Sequence, residues 1–218
     1  MARLARIVVP DFPHHVTQRG VRSMNIFNDD TERRDYLAFM KECGNKFGLK
    51  YLSYCLMDNH VHFIVVPRNE HSLSKGIGEG HKLYTRQKNF KDGVRGHLFQ
   101  SRFFSCPLSE SHFYSAIRYV ERNPVKAGLV ENAWDYEWSS SKYFVGNSKT
   151  DPLVNNHSFL GEVMNWREFL SKDDDDSLII SNTKTGRPCG DENFINMIET
   201  KLDRDIKKKK PGPKRLIK

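Results

Sequence analysis

The sequence of 218 residues holds only four cysteines, Cys43, Cys55, Cys106 and Cys189, and no two of them form a CxxC pair. That scarcity argues against a zinc knuckle and against a disulfide framework, and leads us to expect reduced, mostly buried thiols. No apolar run approaches the ~20 residues that span a bilayer, and the start of the chain lacks the apolar stretch of a secretory signal. A soluble, cytoplasmic protein with no membrane partner is therefore expected. Phosphate-cradling glycine loops are also missing, because the run Gly76-Ile77-Gly78-Glu79-Gly80 matches neither GxGxxG nor GxxxxGK[ST] after a strand. Acidic excess is absent as well. The formal net charge is +8, which favours a polyanionic partner, nucleic acid first, through counterion release at phosphates. Charge alone fits a merely basic soluble protein equally well. The length suits one domain with a real core and a small appendage, and excludes a large multidomain machine.

Along the chain, residues 14–20 read as a strand, and the cluster Asn28-Asp29-Asp30-Thr31 supplies N-cap chemistry for a helix. Tyr36, Met40, Cys43 and Phe47 follow at helical spacing, and Gly48 is placed to end that helix. Two β-rich runs, 49–56 and 60–66, are joined by Met57-Asp58-Asn59 and predict an antiparallel hairpin closed by Pro67. A helix over 72–90 is weakened by its three glycines, about 1 kcal/mol each relative to alanine, and is expected to be mobile. A fourth strand is expected over 97–106, then a helix capped by Ser109 or Ser111 that runs to about 123, before Pro124. This order predicts an α+β fold, a ferredoxin-like antiparallel sheet with helices on one face, plus a small helical C-terminal segment. The domain expected over 1–146 is followed by a helical extension over 147–204 and a basic, disordered tail over 205–218. Within the extension we expect a short helix over 163–170, a solvated acidic run over 173–176, and a helix carrying Phe194, Ile198 and Leu202 on one side.

Chemistry concentrates in two places. In the strand MDNHVHFIVV, His60 and His62 are two residues apart, so both imidazoles leave the same face while Val61 points to the other. The pair is either two ligands of one divalent ion or two hydrogen-bonded structural histidines. The neighbours His14 and His15 face opposite ways and are poor joint ligands. On the helix ending near 123, Tyr119 and Asn123 stand at i and i+4, which presents a phenol and a neutral oxygen donor together. A phenol with a pKa near 10 is only about one part in a thousand ionised at neutral pH, so it needs assistance to act as a nucleophile. A cation held by His60, His62 and the Asn123 amide oxygen would polarise a phosphodiester. Tyr119 also reads as an ordinary helix aromatic, and Tyr114 is a rival nucleophile without an asparagine partner. Arg118, Arg122 and Lys126 surround Tyr119 and suit phosphate oxygens or simply the helix C-terminus.

The segments MDNHVHFIV and AIRYVERNPVKAGLV, with TQRG near the N-terminus, HLFQSRFF at 97–104 and WSSSKYF at 138–144, closely resemble the REP-associated tyrosine transposases. These are a branch of the single-tyrosine HUH, IS200-like transposases, and the resemblance covers roughly residues 5–146, with TGRPCGDENF similar to their C-terminal element. It implies that His60 and His62 are metal ligands, Asn123 the third, Tyr119 the nucleophile, and Mg²⁺ or Mn²⁺ the cofactor. The implied reaction is cleavage of one strand of palindromic, hairpin-forming DNA through a 5′-phosphotyrosine, releasing a 3′-hydroxyl that can rejoin it without ATP. Arg19, Arg102 and the basic tail are plausible DNA contacts. Two rival functions stand beside this: a repressor-like DNA-binding protein that keeps the fold without cleavage, and an RNA-binding ferredoxin-like module, for which no RNP-like motif is present. Monomer and homodimer are equally compatible with the sequence.

Overall fold

The structure, a computed structural model, describes residues 5–155 and 158–207. Strand β1 (His14–Arg19) leads to helix α1 (Asp30–Phe47), strands β2 (Leu49–Met57) and β3 (His60–Pro67), helix α2 (Ser72–Asp92), strand β4 (Phe104–Pro107) and helix α3 (Glu110–Glu121). The sheet is antiparallel throughout, in the order β2-β3-β1-β4. This is the split arrangement of a ferredoxin-like domain, as the sequence predicts. The Asp29 side chain caps α1 by accepting from the Glu32 N–H, and Gly48 ends it in the left-handed conformation, where a glycine has no Cβ to clash.

Helices lie on both faces, not on one. Neighbouring residues of a strand point to opposite sides, and the Phe63 ring meets Tyr36 of α1 whereas the His62 ring meets Tyr119 of α3. The crossover helices α1 and α2 thus cover the Phe63 side, where Val61, Phe63 and Val65 are fully buried. The second face is covered by α3 and by helix α7 (Ser177–Thr185), which the sequence reading missed. On α3, Phe113, Ala116, Ile117 and Val120 are buried at i, i+3, i+4 and i+7, an apolar stripe whose larger side chains contribute roughly 1.5–3 kcal/mol each.

Several expectations need correction. Of the strand predicted over 97–106 only residues 104–106 are in the sheet, within β4. The rest is bent, with Gly96 at φ 122° and Ser101 at φ 61°, and meets β1 and its end through the bridge between Gly20 and Phe99, the bond from Gln100 N to Arg19 O at 2.8 Å and the bond from Gln18 Nε2 to Ser101 O at 3.1 Å. Two of the three glycines expected to weaken α2 instead permit close packing: a Cβ on Gly76 would lie 2.4 Å from Leu49, and one on Gly80 2.6 Å from the Met40 sulfur. Helix α3 stops at Glu121, and Asn123 opens a separate short helix, α4 (Asn123–Lys126). Pro124 is tolerated there because a first-turn N–H needs no helical partner.

Beyond residue 140 lie α5 (Ser141–Phe144), α6 (Trp166–Ser171), α7 and α8 (Glu192–Leu202). Leu153, Val154, Trp166, Leu170, Ile179 and Cys189 join the same core as the sheet, and Cys189 bridges to Leu108 beside β4. Helix α8 packs Phe194 and Ile198 with Ile7, Val9 and Ile206 in a smaller second core. Of the basic tail, Ile206 is buried and residues 208–218 lie outside the described residues. All four cysteines are free and buried, as expected.

One buried acid locks α3 in place. Glu121 Oε1 accepts from the Ser53 hydroxyl of β2 at 2.6 Å and from the Ser140 hydroxyl, and burial raises its pKa to about 8. Because the unfolded carboxyl ionises near its ordinary value while the folded one keeps its proton, the unfolded state releases protons first. Stability therefore declines as pH rises from about 4.5 to about 8, by an amount on the order of a few kcal/mol, and then levels. Glu121→Gln should remove most of that slope and be the more stable protein at pH 9, as measured by urea unfolding at pH 5, 7 and 9. Parallel slopes for the two proteins would show that the acid is ionised in the fold.

Candidate active site

The pleat delivers one row of side chains to the face beneath α3. Thr17 pairs with His62 and Arg19 with His60 across β1 and β3, and directly opposed residues share a face, so His15, Thr17, Arg19, His60 and His62 all line it. They open into a cleft of about 650 Å³ that also contains Gln100, Tyr119, Asn123, Thr183 and Lys184. The histidine pair of the sequence and its proposed nucleophile are thus brought together.

The rings of His60 and His62 are 5.0 Å apart, centroid to centroid. His60 Nδ1 lies 2.6 Å from Asn59 Oδ1, and since that amide oxygen can only accept, Nδ1 carries the proton and Nε2 has a bare lone pair. His62 Nδ1 lies 2.9 Å from His15 Nε2, which leaves His62 Nε2 without a protein partner among the described residues. Burial, reinforced by the Arg19 charge, pushes the His60 pKa down to about 4. His62 is held well below the ordinary range by burial and by the neighbouring histidines. Both imidazoles are therefore neutral at physiological pH, the form that donates to a metal. Asn123 Nδ2 is committed to the carbonyls of Tyr119 at 2.8 Å and Val120 at 3.3 Å, so its oxygen is the atom left for the site. Among the described residues no three His, Cys, Asp or Glu side chains form a group that could hold a metal. The donor set that fits a divalent ion here is two neutral nitrogens and one amide oxygen, completed by water or substrate.

Tyr119 sits at the end of the α3 stripe, half-buried, with its ring edge-on to His62 at 5.4 Å and to His15 at 5.5 Å. Its hydroxyl has no hydrogen-bond partner among the described residues. Burial and then the Asp176 charge raise its pKa to about 12, against the opposing pull of Arg19. The rival Tyr114 faces elsewhere, against Phe113 and Phe169.

The expected phosphate contacts divide into two groups. Arg19 is exposed at the cleft, and Arg102 lies in an adjoining cleft with Lys82, Arg86 and Phe99. Arg118, Arg122 and Lys126 are instead paired with the acidic run. Arg118 bonds Asp174, Arg122 lies 2.5 Å from Asp173 and donates to Leu170 O at 2.9 Å, and Lys126 bonds Asp176. The acidic run is exposed at Asp173, Asp174 and Asp175, as expected, and buried at Asp176, and its ion pairs make it a clamp that docks the start of α7 against α3 and α4. His15, Thr183 and Lys184 were missed as site residues. The strand face of His15 was readable from its two-residue spacing to Thr17 and Arg19, and the family-like segment TGRPCGDENF begins two residues after Thr183.

A half-buried phenol over a neutral nitrogen and oxygen donor set, in a cleft rimmed by cations, suits phosphoryl transfer on a polyanion. Residues 9–123 match the model of the IS200-like transposases, over half of the chain, and the protein belongs to that family of DNA-processing enzymes. No curated protein matches the sequence. Among solved structures the fold resembles that of a REP-associated tyrosine transposase bound to a REP hairpin, at 15% identity and a TM-score of 0.55 over 72% of this chain and 93% of that one. A structure from Deinococcus radiodurans R1 described as a transposase is 14% identical, with a TM-score of 0.39 over 56% of this chain and 97% of that one, too loose a superposition to bear on the fold.

The clamp makes a stability prediction. Arg118 and Arg122 keep only 12% and 10% of their side-chain surface exposed, so removing their partners strands two half-desolvated cations. Replacing Asp173, Asp174 and Asp176 together by asparagine should lower stability by about 1–3 kcal/mol in urea unfolding. A loss under about 0.5 kcal/mol would show that the pairs are ordinary surface contacts.

Proposed function

We propose that the protein is a metal-dependent strand transferase that cleaves and rejoins single-stranded or hairpin DNA, with Tyr119 as nucleophile. The observation that carries this reading is the placement of the Tyr119 ring against His62, within one cleft that also holds His60, Asn123 and Arg19. His60 Nε2, His62 Nε2 and the Asn123 oxygen would hold a divalent ion, Mg²⁺ or Mn²⁺. Bound there, such an ion supplies positive charge to the scissile phosphate and to the phenolate.

The Tyr119 oxygen attacks phosphorus, the bond from phosphorus to the 3′-oxygen breaks, and the strand leaves with a free 3′-hydroxyl. The proton lost by the phenol is balanced by the one taken up by the departing oxygen. A 5′-phosphotyrosine remains, one phosphodiester exchanged for another, so no external energy source is needed. Arg19 holds the phosphate and favours the ionised phenol, offsetting the burial that raises its pKa. The hairpin preference rests on the fold shared with the hairpin-bound relative and on the basic residues of the adjoining cleft.

Labelled DNA hairpins with single-stranded flanks, mixed with protein and Mn²⁺ or Mg²⁺, should yield a covalent adduct on a denaturing gel that is absent for Tyr119→Phe. Hairpin binding without any adduct in wild type would instead favour a repressor-like role. Arg19→Ala should weaken binding and reduce the slope of log affinity against log salt by about 0.7, the value for one phosphate contact on a single strand. An unchanged slope would remove Arg19 from the DNA path.

A further inference from the structure

Behind the histidine pair runs a buried chain of hydrogen bonds that passes through a residue outside the matched family region. His62 Nδ1 is 2.9 Å from His15 Nε2, His15 Nδ1 is 2.7 Å from Thr183 Oγ1, and that hydroxyl is 3.2 Å from Cys106 Sγ. The two imidazole rings are 5.1 Å apart and nearly coplanar in orientation, 3° from parallel. His15 is 1% exposed and Thr183 2%, so no bulk water competes for these bonds.

We propose that His15, oriented by Thr183 of α7, is a positioning residue that fixes His62 in the ring orientation required of a metal ligand and takes up its Nδ1–H as hydrogen-bond acceptor when Nε2 binds. The inference rests on the reading of His60 and His62 as metal ligands. A neutral imidazole carries one N–H, and the bond between the two rings needs one donor and one acceptor. If His62 Nδ1–H donates to His15 Nε2, then His15 Nδ1–H donates to Thr183 Oγ1, and His62 Nε2 faces the cleft as a bare lone pair. In the reverse arrangement His62 Nε2 carries the proton into the cleft and cannot bind a cation. Thr183 serves both arrangements, accepting from His15 with its own proton on the Cys106 sulfur, or donating to His15 while accepting from the Cys106 thiol, so the chain holds both rings in orientation and a cation at His62 Nε2 draws it into the ligand form. Metal-bound histidines ordinarily have the second ring nitrogen fixed by such a partner. Here the partner is a second histidine, anchored by a residue 168 positions away in sequence. The clamp of Asp173, Asp174 and Asp176, which docks the start of α7, thereby makes the C-terminal segment a working part of the metal centre.

The test compares Thr183→Val, which keeps the shape and removes the hydroxyl, with Thr183→Ser, which restores it, and with His15→Phe, His60→Ala and His62→Ala. Mn²⁺ affinity is read from the electron paramagnetic resonance of free ion in the absence of DNA. We expect Thr183→Val and His15→Phe to weaken Mn²⁺ binding about 10- to 100-fold. We expect Thr183→Ser to bind within about threefold of wild type. Mn²⁺ affinity within twofold of wild type in Thr183→Val, alongside lost binding in His62→Ala, overturns the positioning role and leaves the ligand assignment standing. Undiminished binding in both His60→Ala and His62→Ala overturns the ligand assignment and this inference with it.

Discussion

The alternation of side chains along β3 couples the core to the site. Val61, Phe63 and Val65 are driven into the layer between the sheet and α1, fully buried, and the pleat then sends His60 and His62 to the opposite face. Register does the rest, because a slip of one residue would bury the histidines in the aromatic core and expose Phe63. The same constraint on β1 sets His15, Thr17 and Arg19 beside the pair. The site is therefore a by-product of burying one face of a four-stranded sheet, and its precision comes from strand geometry, which is stiffer than any loop.

Above that face, α3 supplies the phenol and α7 the support. Helix α3 is held by its apolar stripe and by Glu121, whose acceptance of the Ser53 and Ser140 hydroxyls ties the helix to β2 and to the turn before α5. Two residues earlier, Tyr119 is presented at the rim, and Asn123 below it spends its amide N–H groups on the helix carbonyls. Cations that a sequence-only reading gives to DNA are engaged by the acidic run instead, which leaves Arg19 and Lys184 as basic residues lining the cleft. Charge density and charge availability are different properties, and only the structure separates them.

Legibility in the sequence followed the range of the interaction. The α1 cap, the hairpin of β2 and β3, and the shared face of His60 and His62 are local, set by spacing within a few residues, and they were readable. The i to i+4 relation of Tyr119 and Asn123 was readable too, although Pro124 makes the second residue the start of a new helix. Residues 97–103 misled because an alternating run with aromatics resembles a strand, while the positive φ of Gly96 and Ser101 follows from fitting around β1. The glycines of α2 were misjudged for a similar reason: intrinsic propensity penalises them, and contact with Leu49 and Met40 requires them. His15 and Thr183 were invisible as partners because their contact spans most of the chain and rests on the docking of a helix whose local signal is weak.

Function in the proposed reading depends on β3 presenting a cation-binding pair directly under Tyr119. The most direct measurement is the anomalous scattering of a Mn²⁺-soaked crystal. One strong peak is predicted within coordination distance of His60 Nε2, His62 Nε2 and the Asn123 side-chain oxygen, on the Tyr119 side of the sheet. A peak that avoids both histidines, or one bound by their Nδ1 atoms after the rings have left His15 and Asn59, would contradict it.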